Sequence, residues 1–142
     1  MNNLDDVDKV SVLFVCRNNS IRSQMAEAIL NSLYHETHIA FSGGKEPTNI
    51  NDKTGHVLKE IGIDISNKKS KNIEIFENIN FNHVITVCDD DVCPYFLNAD
   101  HYINKSFKDH NDSLKSEGLD SFRELRNEIE NWIIEIVENG II

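Results

Sequence analysis

Apolar residues fall along this chain in two alternating rhythms. Lys9 to Val15 is a short, nearly continuous apolar run, the pattern of a central parallel strand buried on both faces. Ser23 to Leu33 follows with Met25, Ala26, Ile29, Leu30 and Leu33 at helical spacing, forming one inward stripe. His38 to Phe41 reads as a second strand, ending in Ser42-Gly43-Gly44, where two glycines permit a turn unavailable to other residues. Asn51 to Ile61 carries Val57, Leu58 and Ile61 on one helical face, with Gly62 as its stop. His83 to Val87 is the next buried strand, and Tyr102 to Phe107 is a weaker fourth. Leu119 to Glu138 is the longest helix: Phe122, Leu125, Ile129, Trp132, Ile133, Ile136 and Val137 make one face against the sheet, and Gly140 closes it.

Strands and helices alternate without repeats or low-complexity tracts, which predicts an α/β fold. The expected architecture is a single-domain, three-layer, open parallel four-stranded sheet with helices on both faces. At 142 residues the chain has the size of one domain, read as a flexible segment over 1–8 and a folded unit over 9–142. No apolar run approaches the roughly 18 residues of a membrane helix, and the acidic start M-N-N-L-D-D-V-D is unlike an export leader, so a cytoplasmic monomer is expected. A net charge of -10 argues against nucleic acid and anionic membrane as partners. It leaves room for an anionic substrate only where attraction is local.

Such a place stands between the first strand and the first helix. The run C-R-N-N-S-I-R-S sets Cys16 and Arg22 five residues apart, joined by Arg17, Asn18, Asn19, Ser20 and Ile21 and followed by Ser23. A loop folding from a strand into a helix aims backbone N–H groups inward, and the helix dipole adds to their pull on a tetrahedral anion. Arg22 can clamp two of its oxygens with a planar fork, while the same field favours a thiolate at Cys16. Asn19 suits a left-handed turn within the loop, Ser20 is a donor for the thiolate, and Arg17 is placed at the rim. The only other cysteines, Cys88 and Cys93, make an odd total that fits reactive thiols better than a disulfide framework. They read either as exposed thiols beside the D-D-D triplet or as small hydrophobes ending a strand. Their spacing and the lack of a fourth ligand argue against zinc, and no metal or other cofactor is expected. In an open parallel sheet the ligand crevice lies at the carboxyl ends of the strands, so Cys16 and Cys88 should face one site. The histidines are read as surface or packing residues, His110 excepted.

These segments resemble the low-molecular-weight phosphotyrosine phosphatase fold, and within it the thioredoxin-coupled arsenate reductases. V-L-F-V-C-x-x-N-S-x-R-S-Q-M-A-E-A is similar to that branch's strand, anion loop and first helix. G-I-D-I-S-N-K-K-S-K resembles its middle segment, V-I-T-V-C-D-D-D-V-C-P its redox segment and F-R-E-L-R-N-E-I-E its last helix. The resemblance implies an arsenate reductase in which Cys16 attacks arsenate, Cys88 attacks Cys16, and Cys93 attacks Cys88. A Cys88–Cys93 disulfide is then left for thioredoxin, or glutaredoxin, to reduce. It also implies an aspartate acid on the loop after the fourth strand, here Asp109, with Asp112 and Asp100 as rivals. The alternative activity is a phosphatase for phosphotyrosine or small phosphoesters, which needs only Cys16, Arg22 and the acid. A non-catalytic oxyanion-binding or redox-sensing module is a third reading.

The chain departs from the family pattern at four places. Ile21 stands where relatives carry a loop cysteine, His110 replaces a proline after the acid, and the spacer between Cys88 and Cys93 is short. Some relatives hold potassium through an Asn, a Glu, a Ser and an Asp; Asn19, Glu27 and Ser42 match the first three, but position 71 is lysine. Lys71 either supplies the missing positive charge or points to solvent.

Overall fold

The computed structural model describes residues 8–87, 98–107 and 118–142. Its elements run β1 (Val10–Cys16), α1 (Arg22–Tyr34), β2 (His38–Gly44), α2 (Asp52–Lys59), a 3₁₀ turn (Ile73–Phe76), β3 (Asn80–Thr86), β4 (Asn98–Asn104) and α3 (Leu119–Glu138). The four strands form one sheet in the order β2-β1-β3-β4, and every neighbouring pair is parallel. This is the α/β architecture that the alternating pattern predicts. The chain leaves β1 on one side to form β2 and returns on the other side to form β3, so the order of strand addition reverses at the carboxyl end of β1. That switch point opens a crevice where neighbouring connections part.

The centre of the sheet is apolar because its central strand is apolar. Val12, Leu13, Phe14 and Val15 are completely buried, as are Met25, Ala26, Ile29 and Leu30 on α1. Helix α3 brings Trp132 to the Phe14 ring, edge-on with centroids 6.2 Å apart, while Phe107 meets the same indole at 5.3 Å. Phe41, Phe76 and Phe81 make a second aromatic cluster. Burying each such side chain contributes roughly 1.5–3 kcal/mol.

Several expectations shift in position. Leu33, assigned to the inward stripe, is 43% exposed at the end of α1, where the sheet no longer lies beneath it. Strand β4 begins at Asn98 and ends at Asn104, earlier than its apolar residues suggest. It is an edge strand, and its register with β3 sets its length more than its own composition. Gly62 and Gly140 do take positive φ (85° and 72°) after their helices. Gly43 and Gly44 do not. They serve close packing: a Cβ on Gly44 would lie 2.6 Å from the Arg17 carbonyl oxygen and 2.8 Å from the Asn19 nitrogen.

Polar contacts tie α2 to α3. Arg123 grips both oxygens of Glu60, and Arg126 donates to Glu60 (2.8 Å) and to the Val57 carbonyl (2.9 Å). The Arg123 guanidinium, with Arg126 beside it, holds the Glu60 carboxyl down to about 2. Gly55 sits inside α2 without a positive φ, and a Cβ there would touch only Ile65 at an ordinary 3.7 Å. A glycine in a helix interior costs about 1 kcal/mol against alanine. Gly55→Ala should therefore stabilise the fold by about 0.5–1 kcal/mol in urea denaturation.

His83 on β3 is buried and stacks on His101 of β4 at 5.3 Å, with His38 of β2 close enough to be felt and Asp100 on the opposing side of the balance. Burial, then the neighbouring His101 and His38, push the His83 imidazole below its ordinary value, while Asp100 pulls weakly the other way. His38 is also lowered by burial. Below about pH 6.5 the unfolded chain takes up protons that the folded chain resists, so stability should fall as the pH drops from about 7 to 5. His83→Gln should flatten part of that slope in denaturation curves recorded across the range.

Candidate active site

Five residues of loop join Cys16, the last residue of β1, to Arg22, the first of α1. The orientation of their peptides follows from the wall against which they lie. The Arg17 carbonyl accepts from Glu46 N–H (2.7 Å), the Asn18 carbonyl from Thr48 N–H (3.1 Å) and the Ser20 carbonyl from Asn51 N–H and the Thr54 hydroxyl. The Asn19 carbonyl accepts from Ser70 Oγ (2.8 Å) and Gln24 Nε2 (3.3 Å). Four successive carbonyls thus point outward. In a trans peptide the following N–H points the opposite way, so the amides of residues 18 to 21 are turned toward the inside of the loop. The Asn19 N–H demonstrates it, reaching Cys16 Sγ at 3.3 Å. Asn19 takes φ +51°, the left-handed turn expected of it.

The side chain of Asn19 is fully buried and fixes the direction of every hydrogen bond around it. Its Oδ1 accepts from the Lys71 backbone N–H (2.9 Å), which can only donate, and from Gln24 Nε2 (2.8 Å). The two protons on Nδ2 then go to Ser23 Oγ (2.8 Å) and Ser42 Oγ (2.9 Å). Ser42 Oγ–H in turn donates a hydrogen bond to the Glu27 carboxylate. Ser23, with its oxygen already accepting, has its proton left for Cys16 Sγ at 2.8 Å. Two donors therefore converge on a sulfur that is only 7% exposed. The sequence-based choice of Ser20 as that donor is incorrect: Ser20 Oγ instead accepts from Asn51 N–H (3.1 Å), and Ser23, one turn later, reaches the sulfur. The signal was its place directly after the arginine, at the start of the helix.

Glu27 is buried beneath this chain of bonds, and two ammonium groups face it. Lys71 Nζ lies 3.6 Å from one oxygen and Lys68 Nζ 3.5 Å from the other. Lys71 therefore turns inward rather than to solvent, and Lys68 is a partner the sequence reading missed. At the rim, Arg17 pairs with Glu46 (2.9 Å), and Asn18 Nδ2 donates to the Glu46 carbonyl (2.8 Å). Ile21 caps the helix start without a side-chain hydrogen bond, and Arg22 stands half-buried at its first turn.

The other predicted residues divide in two. Asp100 lies near the beginning of β4, hydrogen-bonded by Asn82 (3.2 Å) and Asn80, at the opposite end of the strands from Cys16; it is no rival for the acid. Cys88, Cys93, Asp109, Asp112 and His110 lie outside the described residues. Val87 is described, and its N–H donates to the Val15 carbonyl (2.9 Å), one residue from Cys16. Among the described residues there is no group of three His, Cys, Asp or Glu side chains suited to a metal, and no helix is long and apolar enough to cross a membrane.

A buried sulfur at the carboxyl end of a central strand, with inward amides above it and an arginine at the helix start, is the arrangement that a thiol enzyme acting on tetrahedral oxyanions requires. Comparison with known proteins narrows the class. The sequence profile of the low-molecular-weight phosphotyrosine protein phosphatases matches residues 11–139. An arsenate reductase of Bacillus subtilis is 31% identical over 136 residues, spanning 91% of this chain and 96% of that protein. The solved structure of an arsenate reductase in its phosphate-binding state superposes with TM-score 0.77 at 27% identity, covering 92% of this chain and 98% of the other. A thioredoxin-dependent arsenate reductase of Corynebacterium glutamicum superposes with TM-score 0.70 at 26% identity, over 92% of this chain and 61% of that one. The chain belongs to the low-molecular-weight phosphotyrosine protein phosphatase family, in its arsenate reductase branch.

Two substitutions test the loop. Ser23→Ala removes one of two donors to the sulfur and should slow iodoacetamide alkylation of Cys16 at neutral pH by up to about tenfold, a hydrogen bond contributing roughly 0.5–1.5 kcal/mol. Gly44→Ala sets a methyl group against the backbone of residues 17 to 19, which cannot yield without moving the amides. It should cost about 1–3 kcal/mol of stability and weaken binding of inorganic phosphate, measured by calorimetry.

Proposed function

We propose that this protein reduces arsenate to arsenite by a relay of three thiols, Cys16, Cys88 and Cys93, with thioredoxin as the electron donor and glutaredoxin as the alternative. The observation that carries the reading is the convergence of the Asn19 N–H and the Ser23 hydroxyl on a Cys16 sulfur whose neighbouring strand, β3, leads directly into Cys88. Arsenate is the substrate that gives every one of the three cysteines a task.

Arsenate is held by Arg22 and the loop amides, and Cys16 Sγ attacks arsenic while one oxygen leaves as water after protonation by Asp109 or Asp112. Cys88 then attacks Cys16 Sγ. The new S–S bond forms as the S–As bond breaks, the electron pair stays on arsenic, and arsenic(V) departs as arsenite. Cys93 attacks Cys88, which frees Cys16 and leaves a Cys88–Cys93 disulfide. A dithiol donor returns the two electrons. The short spacer between Cys88 and Cys93 requires a sharp turn for that last bond. The C. glutamicum relative is named as thioredoxin-dependent, which supports the choice of donor.

Phosphotyrosine is the less favoured substrate. Water as the final nucleophile on a cysteinyl phosphate would leave Cys88 and Cys93 without a role.

Three measurements follow. Cys88→Ser or Cys93→Ser should lower multiple-turnover arsenate reduction by at least about a thousandfold in a thioredoxin-coupled NADPH assay, since the nucleophile needed for each exchange is gone. The same variants should leave any para-nitrophenyl phosphate hydrolysis within about twofold of the parent, whereas Cys16→Ser abolishes both. With two lysine ammoniums already facing Glu27, the melting temperature in potassium chloride should equal that in sodium chloride at the same ionic strength.

A further inference from the structure

A cleft of about 390 Å³ opens between α2 and the turn at residues 64–68, on the far side of the wall that supports the anion loop. One wall is a helical stripe of Asp52, Gly55, His56 and Lys59, spaced i, i+3, i+4, i+7, while the opposite face of α2 (Thr54, Val57, Leu58) is buried. The other wall carries Ile65, Ser66 and Lys68. It is held in place by backbone bonds from Ile63 N–H to the Leu58 carbonyl and from Lys68 N–H to the Ile65 carbonyl.

Gly55 occupies the middle of the first wall, and nothing in the fold requires a glycine there. Its φ is not positive, and an added Cβ would make only ordinary contact with Ile65. What the missing side chain does is keep the cleft open across to the buried Ile65. The charges lining the cleft are not equally available. Asp64 already accepts from Ser66 N–H (2.9 Å), and Asp52 lies in the first turn of α2, where the helix dipole favours a carboxylate. The Lys59 ammonium makes no hydrogen bond or ion pair within 4.0 Å among the described residues, and its charge favours the ionised Asp64 carboxylate. Lys68 reaches Glu27 from a side chain that is 43% exposed.

We propose that this cleft is a second binding site, for a small organic anion whose charged group lies between Lys59 and Lys68 and whose apolar body rests on Ile65 in the space left by Gly55. It is separate from the loop that ends in Arg22, yet coupled to it. An anion on Lys68 competes with Glu27 for that ammonium, and Glu27 ends the hydrogen-bond chain that runs through Ser42, Asn19 and Ser23 to Cys16. A carboxylate and a phosphomonoester share the required chemistry.

The test is a two-dimensional amide NMR titration of the full chain, without arsenate, against butanoate and, separately, butyl phosphate. Saturable shifts at Gly55, His56, Ile65 and Ser66 with either compound are expected, and the tighter of the two identifies the charged group. Gly55→Leu, which fills the space, and Lys59→Glu, which reverses one charge, should each weaken that binding at least tenfold with the remaining spectrum intact. At saturation with butanoate, which is not a tetrahedral oxyanion, the alkylation rate of Cys16 should change severalfold. Absence of saturable shifts at these four amides with both compounds, shifts confined to residues 17–23, undiminished binding by Lys59→Glu, or an unchanged alkylation rate at saturation would each overturn the proposal. None of these readouts involves arsenate turnover, so the outcome is independent of the reductase reading.

Discussion

The site depends on a planar constraint: a peptide whose carbonyl is drawn outward must turn the next N–H inward. Residues 46 to 54 supply donors to the carbonyls of Arg17, Asn18 and Ser20, and Ser70 with Gln24 supplies them to Asn19. The inward amides give the loop a positive interior, to which Arg22 at the helix start adds a charge. This is how a protein of net charge -10 can attract an anion, since the attraction comes from fixed amide dipoles and one arginine rather than from overall charge. Because the donors are backbone groups held from behind, they are in place before the anion arrives. The reaction then requires little reorganisation.

Asn19 extends that constraint into the interior. One buried amide settles the donor and acceptor roles of Ser23, Ser42, Gln24 and the Lys71 backbone, so that a hydrogen bond is directed at Cys16 Sγ at one end while a carboxylate accepts one at the other. Buried polar networks are stable only when each member is satisfied. Here Glu27 would be an isolated buried charge without Lys68 and Lys71. The two lysines come from the stretch that also carries Ser70 and the Lys71 N–H to Asn19, so the segment at 68–71 both supports the loop and neutralises its foundation.

Much of this was legible in the sequence, and the reasons for success and failure are physical. Helix α3 ends at Leu119 and Glu138 as its apolar period predicts, because a long amphipathic stripe over a sheet leaves little freedom of register. Cys16, Arg22 and the left-handed Asn19 follow from a local motif whose geometry is set within seven residues. Gly44 was recognised as special for the wrong cause: the local sequence suggests a turn, whereas the requirement is steric contact with residues distant in the chain. The exchange of Ser20 for Ser23 has the same origin. Which hydroxyl meets the sulfur depends on Asn51 occupying Ser20, a contact between residues far apart in sequence. The wall at 46–51 likewise is a tertiary partner with no periodic or motif signal of its own, and Lys68, though inside the segment G-I-D-I-S-N-K-K-S-K, meets Glu27 only through the fold.

The central claim is that the sulfur of residue 16 is a nucleophile passed on to a second sulfur at the end of β3. The most direct measurement is a single turnover of Cys93→Ser with arsenate and no added reductant, followed by peptide mass spectrometry and arsenite quantification. The account predicts one arsenite released per protein and a trapped Cys16–Cys88 disulfide. Fully reduced cysteines with no arsenite, or a disulfide that omits Cys16, would contradict it.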